Sequence, residues 1–186
     1  MKKTLEFILD IAKMILISLA IILPIRYFLF QPFYVNGASM EPTFHNNEYL
    51  MVDEISYRFH EPERGDVIVF RYPGDPQDYY IKRLIGLPGE TVQIKDGHVY
   101  ITDQDGQMIE LSEGYLPENL QTIASSDDPL RLDDDEYFVL GDNRNGSKDS
   151  RSFGAVKKSY IIGRVFFRAW PLGRVSTFPA PSYISN

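Results

Sequence analysis

The sequence predicts a mostly β fold, a sheet or barrel-like extracytoplasmic domain behind one N-terminal transmembrane helix. Three observations carry this. Six short runs rich in β-branched and aromatic residues follow one another from residue 48 to residue 170, separated by turn residues. No stretch beyond residue 31 has helical periodicity. The first thirty residues hold one long apolar run. With 186 residues the chain is long enough for one domain with a real core. The expected organisation is a cytoplasmic tip and anchor over 1–30 and a β-rich domain over 31–186, with an acidic insertion at about 103–135.

The apolar run, LEFILDIAKMILISLAIILPIRYFLF, extends from Leu5 to Phe30. Its uncharged part, Met14 to Ile25, is 12 residues, or about 18 Å of helix. Extended from Ile11 to Phe30 it has 20 residues, about enough for a hydrocarbon core of roughly 30 Å. Lys13 and Arg26 then lie near the two ends, where long side chains reach the interface, and Asp10 falls just outside. A cleaved leader would need small residues at its end, and IRYFLFQPFYVNG offers no such site. A surface-lying helix would need a polar face, and Met14–Ile25 offers only Ser18. Lys2, Lys3 and Lys13 against Arg26 favour an N-in, single-pass orientation in the cell membrane. Tyr27, Phe28, Phe30, Phe33 and Tyr34 suit the lipid interface, which makes membrane lipids an expected partner.

The strand candidates are EYLMVDEI (48–55), GDVIVFRY (65–72), YYIKRLIG (79–86), ETVQIKDGHVYIT (90–102), EYFVLGD (136–142) and YIIGRVFFRAW (160–170). The fourth is a hairpin with Asp96-Gly97 at its turn. Pro73-Gly74-Asp75-Pro76 and Pro88-Gly89 mark further turns. Charge is uneven along this order. From Asp96 to Asp142 there are thirteen carboxylates and one cation, Arg131, a net −12 that leaves +5 for the remainder of a chain of total −7. Such a segment repels nucleic acid, so none is expected as a partner, and it reads as solvated loops. The absence of cysteine excludes disulfides, thiolate metal sites and a Cys nucleophile. His45, His60 and His98 lack metal-site spacing, and no metal or cofactor is expected.

Three stretches are candidates for chemistry. The first is GASMEPT (37–43), in which Ser39 is a possible nucleophile; a hydroxyl needs a base to accept its proton. No histidine is an evident base. In the second stretch, strand alternation puts Tyr80, Lys82 and Leu84 on one face and Ile81, Arg83 and Ile85 on the other. Buried in an apolar wall, Lys82 would lose its charge readily enough to serve as base. Snorkelling from a strand edge is the other reading of the same pattern. The third stretch, GDNRNGSKDSRSFG (141–154), alternates Asp142, Arg144, Asp149 and Arg151. It reads either as an Asx-rich turn closed by its own ion pairs or as a scaffold that fixes a reacting pair.

Taken in order behind the apolar run, Ser39-Met40-Glu41-Pro42-Thr43, Arg64–Phe70, YIKRLIGLPGE (80–90) and the 141–154 loop resemble type I signal peptidases. These are membrane-anchored serine proteases. The short spacing of the last two boxes is similar to the compact Gram-positive branch. The resemblance implies a hydrolase of protein secretion that removes signal peptides from exported preproteins, cutting after small residues. It implies Ser39 as nucleophile and Lys82 as general base. Ser147 is implied to lie near the lysine ammonium, with Asp149 and Arg151 organising the loop and Asp142 and Arg144 as structural members. The Arg64–Phe70 strand is implied to line the substrate groove. In some members a hydroxyl residue completes the oxyanion hole two places before the nucleophile; Gly37 stands there, leaving the Ser39 N–H and one further donor to be found. Two other readings stand beside this one: an anchored, non-catalytic extracellular β-module that binds peptides, and a self-cleaving Ser/Lys regulatory protease. The latter normally carries a DNA-reading domain, for which the sequence offers no candidate.

Overall fold

The computed structural model describes residues 2–28, 30–124 and 126–179, with the side chains of 2–5, 23–28 and 30 outside the description. The expected placements of Lys2, Lys3, Arg26, Tyr27, Phe28 and Phe30 therefore fall outside the described residues. Helix α1 spans Lys2–Phe28. Its described part exposes apolar side chains, Met14, Leu16 and Ile22 among them, together with Glu6, Asp10 and Lys13. Among the described residues no helix is long and apolar enough to cross a membrane.

The strands follow as β1 Phe30–Tyr34, β2 Tyr49–Asp53, β3 Val67–Tyr72, β4 Asp75–Gly86, β5 Thr91–Lys95, β6 His98–Thr102, β7 Met108–Glu110, β8 Leu130–Arg131 and β9 Glu136–Leu140. After the one-turn helix α2 (Ser150–Phe153) come β10 Val156–Lys157, β11 Ile161–Trp170 and β12 Ser176–Thr177. All six predicted runs contain a strand. Five further strands (β1, β7, β8, β10 and β12) are too short or too polar to announce themselves by alternation. The Pro73–Pro76 turn is tighter than expected: Tyr72 already pairs with Asp75, so β4 begins inside it. At the β5–β6 turn both Asp96 (φ 53°) and Gly97 (φ 85°) are left-handed, as a two-residue hairpin with the right twist requires.

The main sheet is antiparallel in the order β1-β2-β11-β3-β4-β9-β10, with β12 on β11, and a second sheet runs β7-β6-β5-β8. The main sheet is open, a correction to the barrel-like expectation. Among the described residues its path ends on β1, which pairs with β2 alone, and on the two-residue β10, which pairs with β9 alone. Three apolar clusters hold the sheets together. Ile85, Val92, Ile101 and Leu140 join the small sheet to the large one. Ile68, Phe70, Leu84 and Tyr137 fill a second cluster, and Met40, Phe44, Leu50 and Val69 a third.

The acidic segment is more structured than a set of solvated loops. Leu111, Thr122 and Leu132 are buried, β7 and β8 extend the small sheet, and the Leu132 N–H bonds the Glu90 carbonyl at 2.8 Å. Its few apolar residues are enough to bring the acidic chain back onto the domain.

Candidate active site

Ser39 is held by what lies on either side of it. Upstream, Gly37 takes φ +108°, and its N–H donates to Asn46 Oδ1 at 2.8 Å. Downstream, Met40 and Phe44 are buried in the core, each contributing about 1.5–3 kcal/mol. The chain must therefore turn at the surface between them, leaving Ser39 half-buried on the crest. Thr43 ties the turn down twice. Its hydroxyl donates to Asp142 Oδ2 at 2.5 Å, and its carbonyl accepts from Arg168 Nη1 at 3.0 Å. Arg168 is itself paired with buried Glu48 at 3.0 Å.

Lys82 comes from the middle of β4, which faces β3 on one edge through Ile68. Its side chain is 3% exposed, and Nζ donates to Ser39 Oγ at 2.8 Å and to the Ile81 carbonyl at 2.8 Å. The Tyr80 ring, on the same strand face by alternation, lies 5.2 Å from the amine. Burial pushes Lys82 down from 10.5 to about 8, against the opposing pull of the Asp149 and Asp142 carboxylates. An amine at that value is about one-tenth neutral at pH 7, compared with less than a thousandth for an exposed lysine. The neutral form can accept the Ser39 proton across the observed distance.

The 141–154 loop closes over the pair. Asn143 N–H bonds the Ser39 carbonyl, and its side-chain amide bonds the Ala38 carbonyl, each at 3.1 Å. Asp149 caps α2, and its carboxylate accepts from Arg151 Nε and Nη2 at 2.8 Å and from the Gly141 N–H at 3.0 Å. Burial alone would raise the Asp149 pKa, but the bonds from Arg151 and Gly141 hold it below the ordinary carboxylate value. Asp142 is fully buried and forms a forked pair with Arg83 at 2.9 and 2.7 Å. Arg144, also buried, donates from Nε to the Gly141 carbonyl at 3.1 Å and forks onto Glu113. Ser147 Oγ is buried and, among the described residues, has no partner at hydrogen-bond geometry, Lys82 included, although it lies near enough to Asp149 to help lower that carboxyl.

Gly141 packs closely against the Ser39 backbone. A Cβ there would lie 2.2 Å from Ser147 Oγ and 2.5 Å from the Ser39 carbonyl oxygen, which is backbone and cannot swing aside. Gly141→Ala is therefore expected to displace Ser39 and lower turnover about 10²-fold. A steady-state assay of that variant checks this.

Sequence reasoning missed Arg83, Thr43 as a tether, Asn143, Glu113 and Tyr115. Arg83 stands next to Lys82 and was assigned only to the opposite strand face; its partner lies 59 residues away, a distance no local pattern reveals. The expectation for Arg64–Phe70 needs correction. Both edges of β3 are occupied, by β11 and β4, so no peptide can add to it. Only Val69 of that strand lines the cleft beside Ser39, and Arg64 instead clasps Glu90 at 2.9 and 2.5 Å. The cleft, of about 490 Å³, runs between Phe33–Ser39 on one side and Asp78–Lys82 on the other, with Leu50 and Val69 beneath. Along that side β4 has no partner on its outer edge among the described residues, because β9 pairs from Arg83 onward.

Residues 8–170 match the family described as signal peptidase, peptidase S26. A probable signal peptidase I-2 of Synechocystis sp. is 39% identical over 173 residues, covering 90% of this chain and 75% of the relative. The signal peptidase I of Leptolyngbya laminosa is 41% identical, covering 92% and 84%. Signal peptidase I T of Bacillus subtilis is 36% identical, covering 94% and 91%. Among solved structures, a signal peptidase I from Enterococcus faecalis V583 is 36% identical and covers 57% of this chain and 97% of its own, with a TM-score of 0.47.

Proposed function

The chain belongs to the signal peptidase S26 family, and from that premise we propose that it is a membrane-anchored endopeptidase using Ser39 as nucleophile and Lys82 as general base to remove signal peptides from exported preproteins. The observation that carries this reading is the 2.8 Å approach of a buried amine to the Ser39 hydroxyl. The neutral amine takes the hydroxyl proton as Oγ attacks the scissile carbonyl. The resulting ammonium then protonates the leaving amine, and the freed base activates water to release the acyl group. The Ser39 N–H, which donates to no acceptor among the described residues, is assigned as one oxyanion donor.

The substrate is assigned to the cleft as an extended chain between the free edges of residues 33–39 and 78–82. Buried Leu50 and Val69 close its floor, which favours small side chains next to the cut. The first thirty residues are assigned as an N-in anchor and residues 31–186 as the extracytoplasmic catalytic domain, the acidic segment included. An anchor of this kind brings enzyme and signal peptide into one membrane plane and raises their effective concentration.

The test is cleavage of a preprotein by the full-length protein in detergent micelles. Cutting after a small residue, lost in both Ser39→Ala and Lys82→Ala with the fold intact, is the expected result. Full activity in either variant would end the proposal. The pH profile adds a second check. Since the active base is the neutral amine, kcat/KM should climb with pH and level off above about 8. A flat profile from pH about 5 to 9 would contradict a titrating lysine. Anchoring is tested separately by alkaline extraction of membranes: release of the full chain with the soluble proteins would remove that part.

A further inference from the structure

The contacts of the acidic segment raise a question that the reaction itself leaves open. Four residues of the 113–123 stretch reach the arginines that frame the dyad. The Glu113 carboxylate takes both terminal nitrogens of Arg144, one of them at 2.8 Å. The Thr122 hydroxyl accepts from the same guanidinium, and the Ile123 carbonyl accepts from Arg151 Nη1 at 2.9 Å. Tyr115 donates its hydroxyl to Glu113 at 2.5 Å, and its ring lies 4.0 Å from the guanidinium carbon of Arg83. These arginines in turn hold the reacting groups. Arg83 follows Lys82 in β4 and reaches Thr43 through Asp142. Arg144 holds the carbonyl of Gly141, the residue packed against the Ser39 carbonyl.

The geometry points to Glu113 as a positioning residue for the Ser39–Lys82 pair, acting through Arg144 with Tyr115 as its brace on Arg83. Its physical task is neutralisation. Arg144 is 2% exposed, and a guanidinium withdrawn that far from water needs a carboxylate to stay in place. Without Glu113 the guanidinium turns toward solvent, the Gly141 carbonyl loses its donor, and the loop over Ser39 and Lys82 loosens. Water then reaches the amine. The groups that face Lys82 are Ser39, the Tyr80 ring and the carboxylates of Asp149 and Asp142, all of which remain in the variant. Loss of the Glu113 carboxylate would by itself disfavour the ammonium and move the limb down, so an upward move reports the return of water to the amine and not the lost charge.

This inference rests on the dyad reading, and the experiment separates the two. Full-length Glu113→Gln, in micelles with one preprotein substrate, is expected to lose about ten- to a hundred-fold in kcat. Its acid limb in kcat/KM is expected to move up by about half a pH unit or more, as the amine regains water. Glu113→Asp, which keeps the charge but withdraws it by one methylene, should move both in the same direction by less; it carries the test alone if the Gln variant does not fold. An unchanged rate overturns the proposal. So does a lower rate with an unmoved limb, because a smaller folded fraction reduces the rate without altering the titration of molecules that remain folded. If Ser39→Ala or Lys82→Ala is active, the dyad reading itself fails. If both are inactive while the Glu113 variants behave as wild type, only the role of Glu113 fails.

Discussion

Lys82→Met is expected to abolish turnover and to make the protein more stable at neutral pH. Removal of a general base costs about 10²–10⁴-fold in rate. The stability gain follows from the same burial that makes the lysine useful. Unfolded, the amine has its ordinary value of 10.5; folded, burial holds it near 8. Below about 8 both states are protonated, and the native state bears the whole penalty of a buried ammonium, about 3 kcal/mol. Between about 8 and 10.5 the native amine is neutral while the unfolded one is charged, so native stability rises with pH and the penalty disappears. Methionine, similar in volume and never charged, is free of that penalty at every pH. Against the gain stand the bonds to Ser39 and to the Ile81 carbonyl, worth about 1 kcal/mol each. The net expectation is a variant more stable by about 1 kcal/mol at pH 6.5 and no more stable at pH 10.5 or above. Urea unfolding at the two pH values checks this; a variant less stable at pH 6.5 would show that the amine is not held at a cost.

Asp142→Ala is expected to have the largest effect on stability. Asp142 is fully buried and accepts three hydrogen bonds, two from Arg83 and one from Thr43. Removing it leaves the Arg83 guanidinium inside the domain without its carboxylate, a change worth about 3–5 kcal/mol. For a chain of this length that is a fall in Tm of roughly 10 °C. Thr43 loses one of its two tethers in the same step, so turnover should fall beyond what the lost stability explains. The comparison is Lys158→Ala, which breaks the exposed pair with Glu61 and should change Tm little. Equal Tm shifts in the two variants would mean that burial of the Arg83–Asp142 pair contributes nothing.

Much of the domain was readable locally. Alternating runs located β2, β5 and β6, because a half-buried strand must place apolar side chains on every second position, and β3 and β9, covered on both faces, showed as short continuous apolar runs. Asp96-Gly97 announced its hairpin by the backbone angles its turn demands. Lys82 was legible only as an alternative: its neighbours Tyr80 and Leu84 gave the face an apolar character, but nothing local said what lay above it. The acidic segment misled, since a count of charges is blind to which carboxylates meet an arginine. Glu113 looks no different in sequence from Glu118, yet only the former pairs with Arg144 among the described contacts. The groove was misassigned to β3 for a related reason. Whether a strand has a free edge depends on its neighbours, and β11 joins β3 from about ninety residues downstream.

By itself, then, the sequence determined the β character, the apolar N-terminal run and the ordered boxes that mark the family, all properties carried by residues close together in the chain. Tertiary structure alone decided that Ser39 and Lys82, 43 residues apart, come within 2.8 Å, and that Arg83, Asp142, Arg144 and Glu113 form the frame around them. The physical reason is that burial and charge pairing belong to a site in space. An amine gives up its proton more readily, and an arginine needs a carboxylate, only once strands distant in sequence have closed water out around them.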